Sequence, residues 1–311
     1  MADVRQSMFP DDSARSEGGG HSFGDTPPQQ DNLLTFRPAR GRRVPSAIAI
    51  ISDAVQFEVV PRLVLAHPVI ARPEARDVLT VPRGERASDA VRDFCTIVLS
   101  KHPEALNLRV SQLRAEGKSL EAIYLGLILP SARYLRQLWD EDLCDFAEAT
   151  LAMWRLQQVL RDNSAAFRST GAQHSCGLRA LLAPAPGETH DLGYLMVEIA
   201  LIGEFFRRDG WDAWIEPKSA GVEFSSLVRS QWFDVVEFLV SGDKRLDALA
   251  ASISAVRRDS PNQGLRVLVC GPAFVEHPEL VLVVGGDVPA EDPRQGVAQA
   301  RNLVGPPASR G

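Results

Sequence analysis

The chain has 311 residues, 45% hydrophobic and 24% charged, with a formal net charge of −6. That is long enough for two domains with ordinary cores, and the acidic balance argues against a surface that grips nucleic acid broadly. No apolar run approaches the ~20 residues of a membrane span, and the N-terminus lacks the charged-then-apolar build of a secretory signal.

The four cysteines, Cys95, Cys144, Cys176 and Cys270, form no C-x-x-C pair. Neither a zinc knuckle nor a disulfide framework is expected, and a reducing cytoplasm fits. Cys95 and Cys270 read as buried structural thiols.

Residues 1–45 are rich in Gly, Ser, Pro, Gln and Asp and cannot bury enough apolar surface to order themselves, so a disordered tail is expected. Its end, Arg37 to Arg43, carries four arginines and reads as a solvated linker or as a contact for an acidic or phosphate-bearing partner. Nothing there resembles a helix-turn-helix, so direct DNA binding by the chain alone is not expected. An apolar arm, 46–84, follows. It contains Pro61 and His67, and its Ala47–Leu65 run does not separate strand from helix.

Four helices are expected over 85–162. Ser88 caps the first, with Val91, Phe94 and Val98 on one face. Pro103 opens the second, which closes near Gly117. Ser119 opens a third that runs to Trp139 and should kink or split at Pro130. Asp145 and Glu148 form a capping box for the fourth, with Phe146, Met153 and Leu160 along one face. Short connections make these a small bundle, and a polar stretch, 163–177, reads as a linker.

Beyond it, short apolar runs alternate with helical ones. The expected strands are Leu178–Ala183, Trp211–Ile215, Val235–Val240, Leu265–Cys270 and Leu280–Val284. The expected helices are Leu192–Asp209, Glu223–Gln231, Leu246–Arg257 and Pro293–Val304. This is an α/β pattern: a flavodoxin-like, doubly wound, five-stranded parallel sheet in the order 2-1-3-4-5, occupying 174–305 behind the helical cap. Ligands of such sheets bind at the carboxyl ends of the strands, where the order reverses. The loops expected there hold His190, Ser241-Gly242 and Gly271-Pro272.

Glu188-Thr189-His190-Asp191-Leu192-Gly193 matches E-x-H-x-x-G, a variant of the D-x-H-x-x-G cobalamin-binding motif. Ser241-Gly242, Gly271-Pro272-Ala273-Phe274 and Gly285-Gly286-Asp287, the last placed after the fifth strand, fall in family order. Leu138-Trp139-Asp140-Glu141-Asp142 with Phe146 resembles the cap of cobalamin methyltransferases and light-sensing repressors. Over roughly 85–305 the chain therefore resembles the B12-binding superfamily. Pro61 to His67, Leu138–Met153 and Val240 to Asp247 make it most similar to the AerR/PpaA photosynthesis-gene regulators, whose module is also called a SCHIC domain.

That resemblance implies a light-responsive cobalamin protein, an antirepressor and not an enzyme, which contacts a PpsR/CrtJ-type transcription repressor. The alternatives are a corrinoid carrier of methyl groups for a methyltransferase and a haem-binding sensor on the same fold. The cofactor form, adenosylcobalamin or hydroxocobalamin, stays open. No Ser-His-Asp order, P-loop or two-carboxylate cleft points to catalysis by the chain's own side chains.

In the family reading, His190 ligates cobalt from below and displaces the cofactor's own base, which then occupies a slot between the first strand and first helix. Glu188 or Asp191 holds the other imidazole nitrogen, and Leu192 and Gly193 open the helix, the glycine leaving room for the tail. A loop histidine capping a helix is the plain alternative. Ser241 would bond the tail, or is a turn serine. Gly242, Gly271, Pro272, Gly285 and Gly286 would admit the tail and corrin edge, or serve turns alone. Trp139 would cover the upper face, or is core.

His67 is the candidate upper ligand, with His21 and His102 competing, and His174 and His277 are expected in solvent. Three departures stand out: Glu237 and Leu239 replace the Gly and Ser of relatives on the third strand, Cys270 precedes Gly271 where two glycines are usual, and the cap has Ala149-Thr150 where DNA-binding photoreceptors have Glu-His.

Overall fold

The computed structural model describes residues 87–100, 102–172, 174–188, 192–218, 222–242 and 246–305. The chain divides into Met1–Ser46 and Ala47–Gly311, and all described residues belong to the second unit. The expected tail and arm, with His21 and His67, lie outside the described residues.

The bundle comprises α1 (Asp89–Leu99), α2 (Pro103–Ala115), α3 (Leu120–Ile123) continuing into α4 (Leu129–Asp140), and α5 (Phe146–Arg168). The expected caps form. Ser88 accepts from Val91 N–H and Ser119 from Ala122 N–H, and Asp145 and Glu148 complete a reciprocal capping box.

Pro130 does not split the third rod. Between α3 and α4 a π-turn, Tyr124–Ile128, sends the Leu129 N–H back to the Tyr124 carbonyl. The wider turn shifts the ladder one residue before the proline, so the ring is accommodated in a continuous helical run. The stretch read as a linker is also partly helical. α5 runs on to Arg168, and the Ser164 hydroxyl donates to Glu204 at 2.5 Å. Its polar residues bond inward to the neighbouring helix, which composition alone does not reveal.

The sheet is parallel in the order β2-β1-β3-β4-β5, as expected. Its strands are β1 (Arg179–Pro184), β2 (Asp212–Ile215), β3 (Val235–Leu239), β4 (Arg266–Cys270) and β5 (Val288–Ala290). Helices α6 (Leu192–Arg208) and α11 (Pro293–Val304) cover one face. The other is covered by α7 (Val222–Ser230), α8 (Leu246–Asp259) and two short helices, α9 (Pro272–Glu276) and α10 (Leu280–Val283).

The fifth strand is a correction. Leu280–Val284, expected as that strand, is α10 and its cap, and the strand forms later, over Val288–Ala290. Val281 and Val284 are buried whereas Leu282 and Val283 are exposed, a spacing of three that suits a helical turn and not the alternation of a strand.

Bundle and sheet share one core. The buried residues of α1 to α5 are continuous with those of α6, α11 and the covered sheet face, including Leu182, Leu239 and Leu268. Phe167 of α5 meets Phe205 of α6 edge-on at 5.1 Å and Tyr124 at 4.7 Å. The bundle is thus fixed against α6, the helix that follows the β1 loop. No helix among the described residues is long and apolar enough to cross a membrane.

Candidate functional site

The carboxyl edge of the sheet is closed by contacts between its loops. After β1 the chain turns at Gly187, whose φ of +82° is the left-handed conformation that glycine adopts without strain. Glu188 follows, and both of its carboxylate oxygens are engaged by one residue of the β3 loop. Ser241 N–H donates to Oε1 at 3.0 Å, and Ser241 Oγ–H donates to Oε2 at 2.5 Å. Two backbone bonds extend the edge: Ala185 N–H to the Leu239 carbonyl at 2.6 Å, and Val240 N–H to the Cys270 carbonyl at 2.8 Å. The loops after β1, β3 and β4 are therefore drawn together, as the topology requires.

Within this edge the glycines play different parts. A Cβ at Gly271 would lie 2.2 Å from the Val240 carbonyl oxygen, and its φ is +149°. That position is glycine because two loops of the protein touch there; no room is left for a ligand at its α-carbon. Pro272 opens α9 behind it. Gly242 has open space around it, and Gly193, exposed in the first turn of α6, would present a Cβ only to Met153, at 3.7 Å.

Gly285 and Gly286 are a correction. They precede β5 and lie at the amino edge of the sheet. Gly285's carbonyl accepts from Arg257, the next residue but one, Asp287, accepts from Val267 N–H at the start of β4, and a Cβ at Gly286 would lie 2.7 Å from Val269. They close the far end of the sheet and are packed against protein.

The bundle projects past the loop edge. Met153 of α5 stands opposite Gly193 and Ser164 opposite Glu204, so α5 and α6 run parallel in step. Phe146 begins α5 seven residues before Met153, about 10 Å along the axis at 1.5 Å per residue. On α4, antiparallel to α6, Arg133 pairs with Glu198 at 2.9 Å and Arg136 lies over the Tyr194 ring at 5.8 Å. Trp139 is one turn further toward the edge. Trp139 and Phe146 meet at 6.4 Å between ring centroids, the former half-buried and the latter exposed. They form an aromatic overhang: the sequence names both as cap residues but puts Phe146 on the inner face of its helix with Met153 and Leu160, whereas it is exposed, and gives no sign of Met153 over Gly193.

Beneath the edge lies a polar cluster. The Glu198 carboxylate, buried on α6, receives Arg133 from α4, and Tyr194 is hydrogen-bonded to both. Burial pushes the Tyr194 hydroxyl's pKa up, and the Glu198 charge adds to that. Glu237, the departure noted on β3, faces the same layer and is fully buried. Neither of its oxygens has a hydrogen-bond partner. Burial, reinforced by the Glu198 charge, pushes its carboxyl pKa up to about 8, so at neutral pH it is mostly protonated. Cys270, buried beside it, is likewise held as the thiol.

His190 and Asp191 lie outside the described residues, as does the side chain of Leu192. Of the other histidines, His102 is exposed with Glu104 3.2 Å away, His277 is exposed with Glu279 at 3.2 Å, and His174 is exposed. Among the described residues there is no group of three or more His, Cys, Asp or Glu that could hold a metal. A single protein ligand to a cofactor's own metal would not register as such a group.

No protein-family model matches the chain. A relative from Rhodobacter capsulatus, described as an uncharacterized 20.5 kDa protein in the bchF-crtJ intergenic region, is 26% identical over 187 residues, covering 60% of this chain and 94% of that protein. Among solved structures, the monomethylamine corrinoid protein of Methanosarcina barkeri superposes with a TM-score of 0.53 over 69% of this chain and 98% of its own, at 8% identity. At that identity the likeness is one of fold. The chain has a flavodoxin-like architecture, a five-stranded parallel sheet preceded by a helical bundle, a fold it shares with that corrinoid protein.

Proposed function

We propose that the chain is a corrinoid-binding protein that holds a cobalamin between the loop edge of the sheet and the aromatic overhang of the bundle. The observation that carries this is the overhang itself: Trp139 and Phe146 extend the bundle beyond the loop edge, on the side where Gly193 and Gly242 add no side chain. The residues present fit such a group, since half-buried Trp139 and exposed Phe146 offer an aromatic wall beyond that edge and the glycines Gly193 and Gly242 leave it without side chains.

His190, two residues after Glu188, would hold the cobalt, and Asp191 would hold its other imidazole nitrogen. Glu188 accepts from Ser241 at both oxygens, which would fix the loop that carries His190 and leaves each oxygen a lone pair for the imidazole. Ser241 holds the loop through its donated bonds, and its hydroxyl oxygen could still accept from the tail. Trp139 and Phe146 would shield the upper face from water, and His67 is the candidate for an upper ligand. When bound, cobalamin supplies a cobalt centre whose upper carbon ligand can be transferred or released by light.

Two roles suit this site, and neither makes the chain an enzyme by itself. A corrinoid carrier for a partner methyltransferase is the one the fold likeness favours. A light-responsive regulator that contacts a PpsR/CrtJ-type repressor is favoured by the relative that lies between bchF and crtJ. Protein loaded with adenosylcobalamin separates them. The regulatory role expects illumination to convert its absorption spectrum and change its affinity for the repressor. The carrier role expects methylcobalamin to form and turn over with a methyl donor and methyltransferase. A Soret band in purified protein would instead indicate haem, and no retained tetrapyrrole at all would remove the proposal.

A further inference from the structure

The end of the sheet opposite the proposed corrinoid edge carries a surface of a different kind. At the amino ends of the strands, Asp259 closes α8 and holds two guanidiniums, one on each carboxylate oxygen: Arg229 from the end of α7 at 3.2 Å and Arg258 at 2.9 Å. The arrangement repeats one residue earlier on α8. Arg257 meets Asp287 at 2.8 Å, and Arg266, at the start of β4, approaches the other oxygen of the same carboxylate at 3.7 Å. Each trio has two cations for one anion and so keeps a positive surplus, in a chain whose net charge is −6.

The acids form the inner layer of this surface and the cations the outer one. The Asp259 and Asp287 side chains are 14% and 20% exposed, against 71% for Arg258 and 55% for Arg229, and Arg266 is half-exposed. A guanidinium has several N–H donors. Each of these three outer arginines meets its aspartate through one nitrogen, which leaves donors for a carboxylate arriving from outside.

Trp232 belongs to the same face. It follows Arg229 by three residues, in the loop from α7 to β3, and is 39% exposed, a large ring to leave in water. Its position is fixed. The indole N–H donates to Asp234 Oδ1 at 3.1 Å, the other Asp234 oxygen accepts from Arg179 N–H at 2.8 Å, and the Asp234 carbonyl accepts from Arg266 N–H at 3.0 Å. Asn262, three residues past Asp259, donates to the Phe233 carbonyl at 2.8 Å and ties the loop after α8 to the loop of the tryptophan. A held tryptophan beside exposed arginines is the composition that dominates the energetics of protein interfaces.

We propose that this amino-edge face is a docking surface for an acidic segment of a partner protein, whose carboxylates meet Arg229, Arg258 and Arg266 and whose apolar side chain covers Trp232. The surplus charge of the two trios selects for carboxylates. A nucleic acid fits less well: three outward guanidiniums are few for a phosphate backbone, and the chain's overall negative charge opposes it. The face lies at the far end of the strands from the β1 loop, so a partner held here leaves the proposed corrinoid edge open.

The test is fluorescence anisotropy with the full chain and three labelled probes: a short peptide alternating glutamate with leucine and tryptophan, the same peptide with lysine in place of glutamate, and single-stranded DNA. Wild type should bind the glutamate peptide, more weakly as salt rises, and the other two hardly at all. Trp232→Ala and the double variant Arg229→Gln, Arg258→Gln should each weaken the glutamate peptide by roughly ten-fold. The double variant Arg109→Gln, Arg294→Gln removes the same charge from arginines elsewhere and should bind as wild type does. Thermal melts identify any variant that has lost its fold, and Arg258→Gln alone, at the most exposed of these arginines, then replaces it. A glutamate peptide that fails to bind wild type, or that binds both double variants equally, would overturn the proposal. Tighter binding of the DNA than of the glutamate peptide would overturn it in favour of a nucleic-acid surface.

Discussion

Glu188 and Ser241 are bound to each other by two hydrogen bonds, from the serine amide at 3.0 Å and its hydroxyl at 2.5 Å. The acid that precedes His190 by two residues is thereby anchored on the neighbouring strand's loop. This pair gives the β1 loop a fixed end just before the proposed cobalt ligand. The sequence offers Glu188 or Asp191 for the imidazole and leaves Ser241 either a tail contact or a turn serine, with no sign that Glu188 and Ser241 pair. Side chains 53 residues apart meet only because β1 and β3 are adjacent.

Ser241→Ala removes the hydroxyl bond and leaves the amide bond. The expected cost is about 1–3 kcal/mol, since one carboxylate oxygen loses its strongest donor. Urea titration measures it. Corrinoid affinity should fall as well, because the loop bearing His190 loses part of its anchor. Glu188→Gln should be milder than Glu188→Ala in both measurements.

The buried acid makes stability depend on pH. Glu237 titrates near its ordinary 4.5 in the unfolded chain and at about 8 in the folded one. Below the unfolded value both states hold the proton and the group imposes no penalty. Between the two values folding requires proton uptake, and stability falls by up to about 1.4 kcal/mol per pH unit, levelling above the folded value. Unfolding free energies measured from pH 5 to 9 should decline more steeply in wild type than in Glu237→Gln, with the difference confined to that window.

Arg133 ties the bundle to α6 through Glu198. Its guanidinium is about half exposed while the acid is buried, so Arg133→Met leaves a buried carboxylate without its cation. A loss of about 1–3 kcal/mol is expected, smaller than for a fully buried pair because solvent screens the arginine. The Arg133→Met, Glu198→Gln double variant should recover part of that loss, a coupling a double-mutant cycle reads directly.

Gly271→Ala tests the loop junction. A Cβ 2.2 Å from the Val240 carbonyl oxygen cannot be accommodated without moving the backbone of the β3 loop, and the residue's φ is unfavourable for alanine. A loss of more than about 2 kcal/mol is expected, with a lowered thermal midpoint. Gly242→Ala, in open space, should change stability little.

Much of this architecture is written locally. The Ser88 and Asp145 caps, four of the strands and the sheet order follow from residue spacing and βα alternation. The fifth strand departs from expectation because five apolar residues in a row, Leu280 to Val284, do not distinguish a strand from a single helical turn. The true strand is three residues with Pro289 in its middle, a composition tolerated only at a sheet edge, where one side needs no ladder bond.

Glu237 was legible as an oddity on the third strand, but its surroundings were not. The doubly wound sheet expected there covers both faces of the central strand, and what the sequence does not show is that the buried carboxyl finds no hydrogen-bond partner. The step between α5 and α6, which creates the overhang, depends on packing between helices and leaves no mark in either helix's own sequence.

The most direct test of the account is whether His190 holds the cobalt. Purified chain and its His190→Ala variant are incubated with hydroxocobalamin, passed through a desalting column, and their absorption spectra recorded against protein concentration. The account predicts near-stoichiometric retention by wild type, with a cobalt-ligand spectrum distinct from that of free cobalamin, and a marked loss of both in His190→Ala at unchanged folding. Equal retention and an identical spectrum in the two proteins would contradict it.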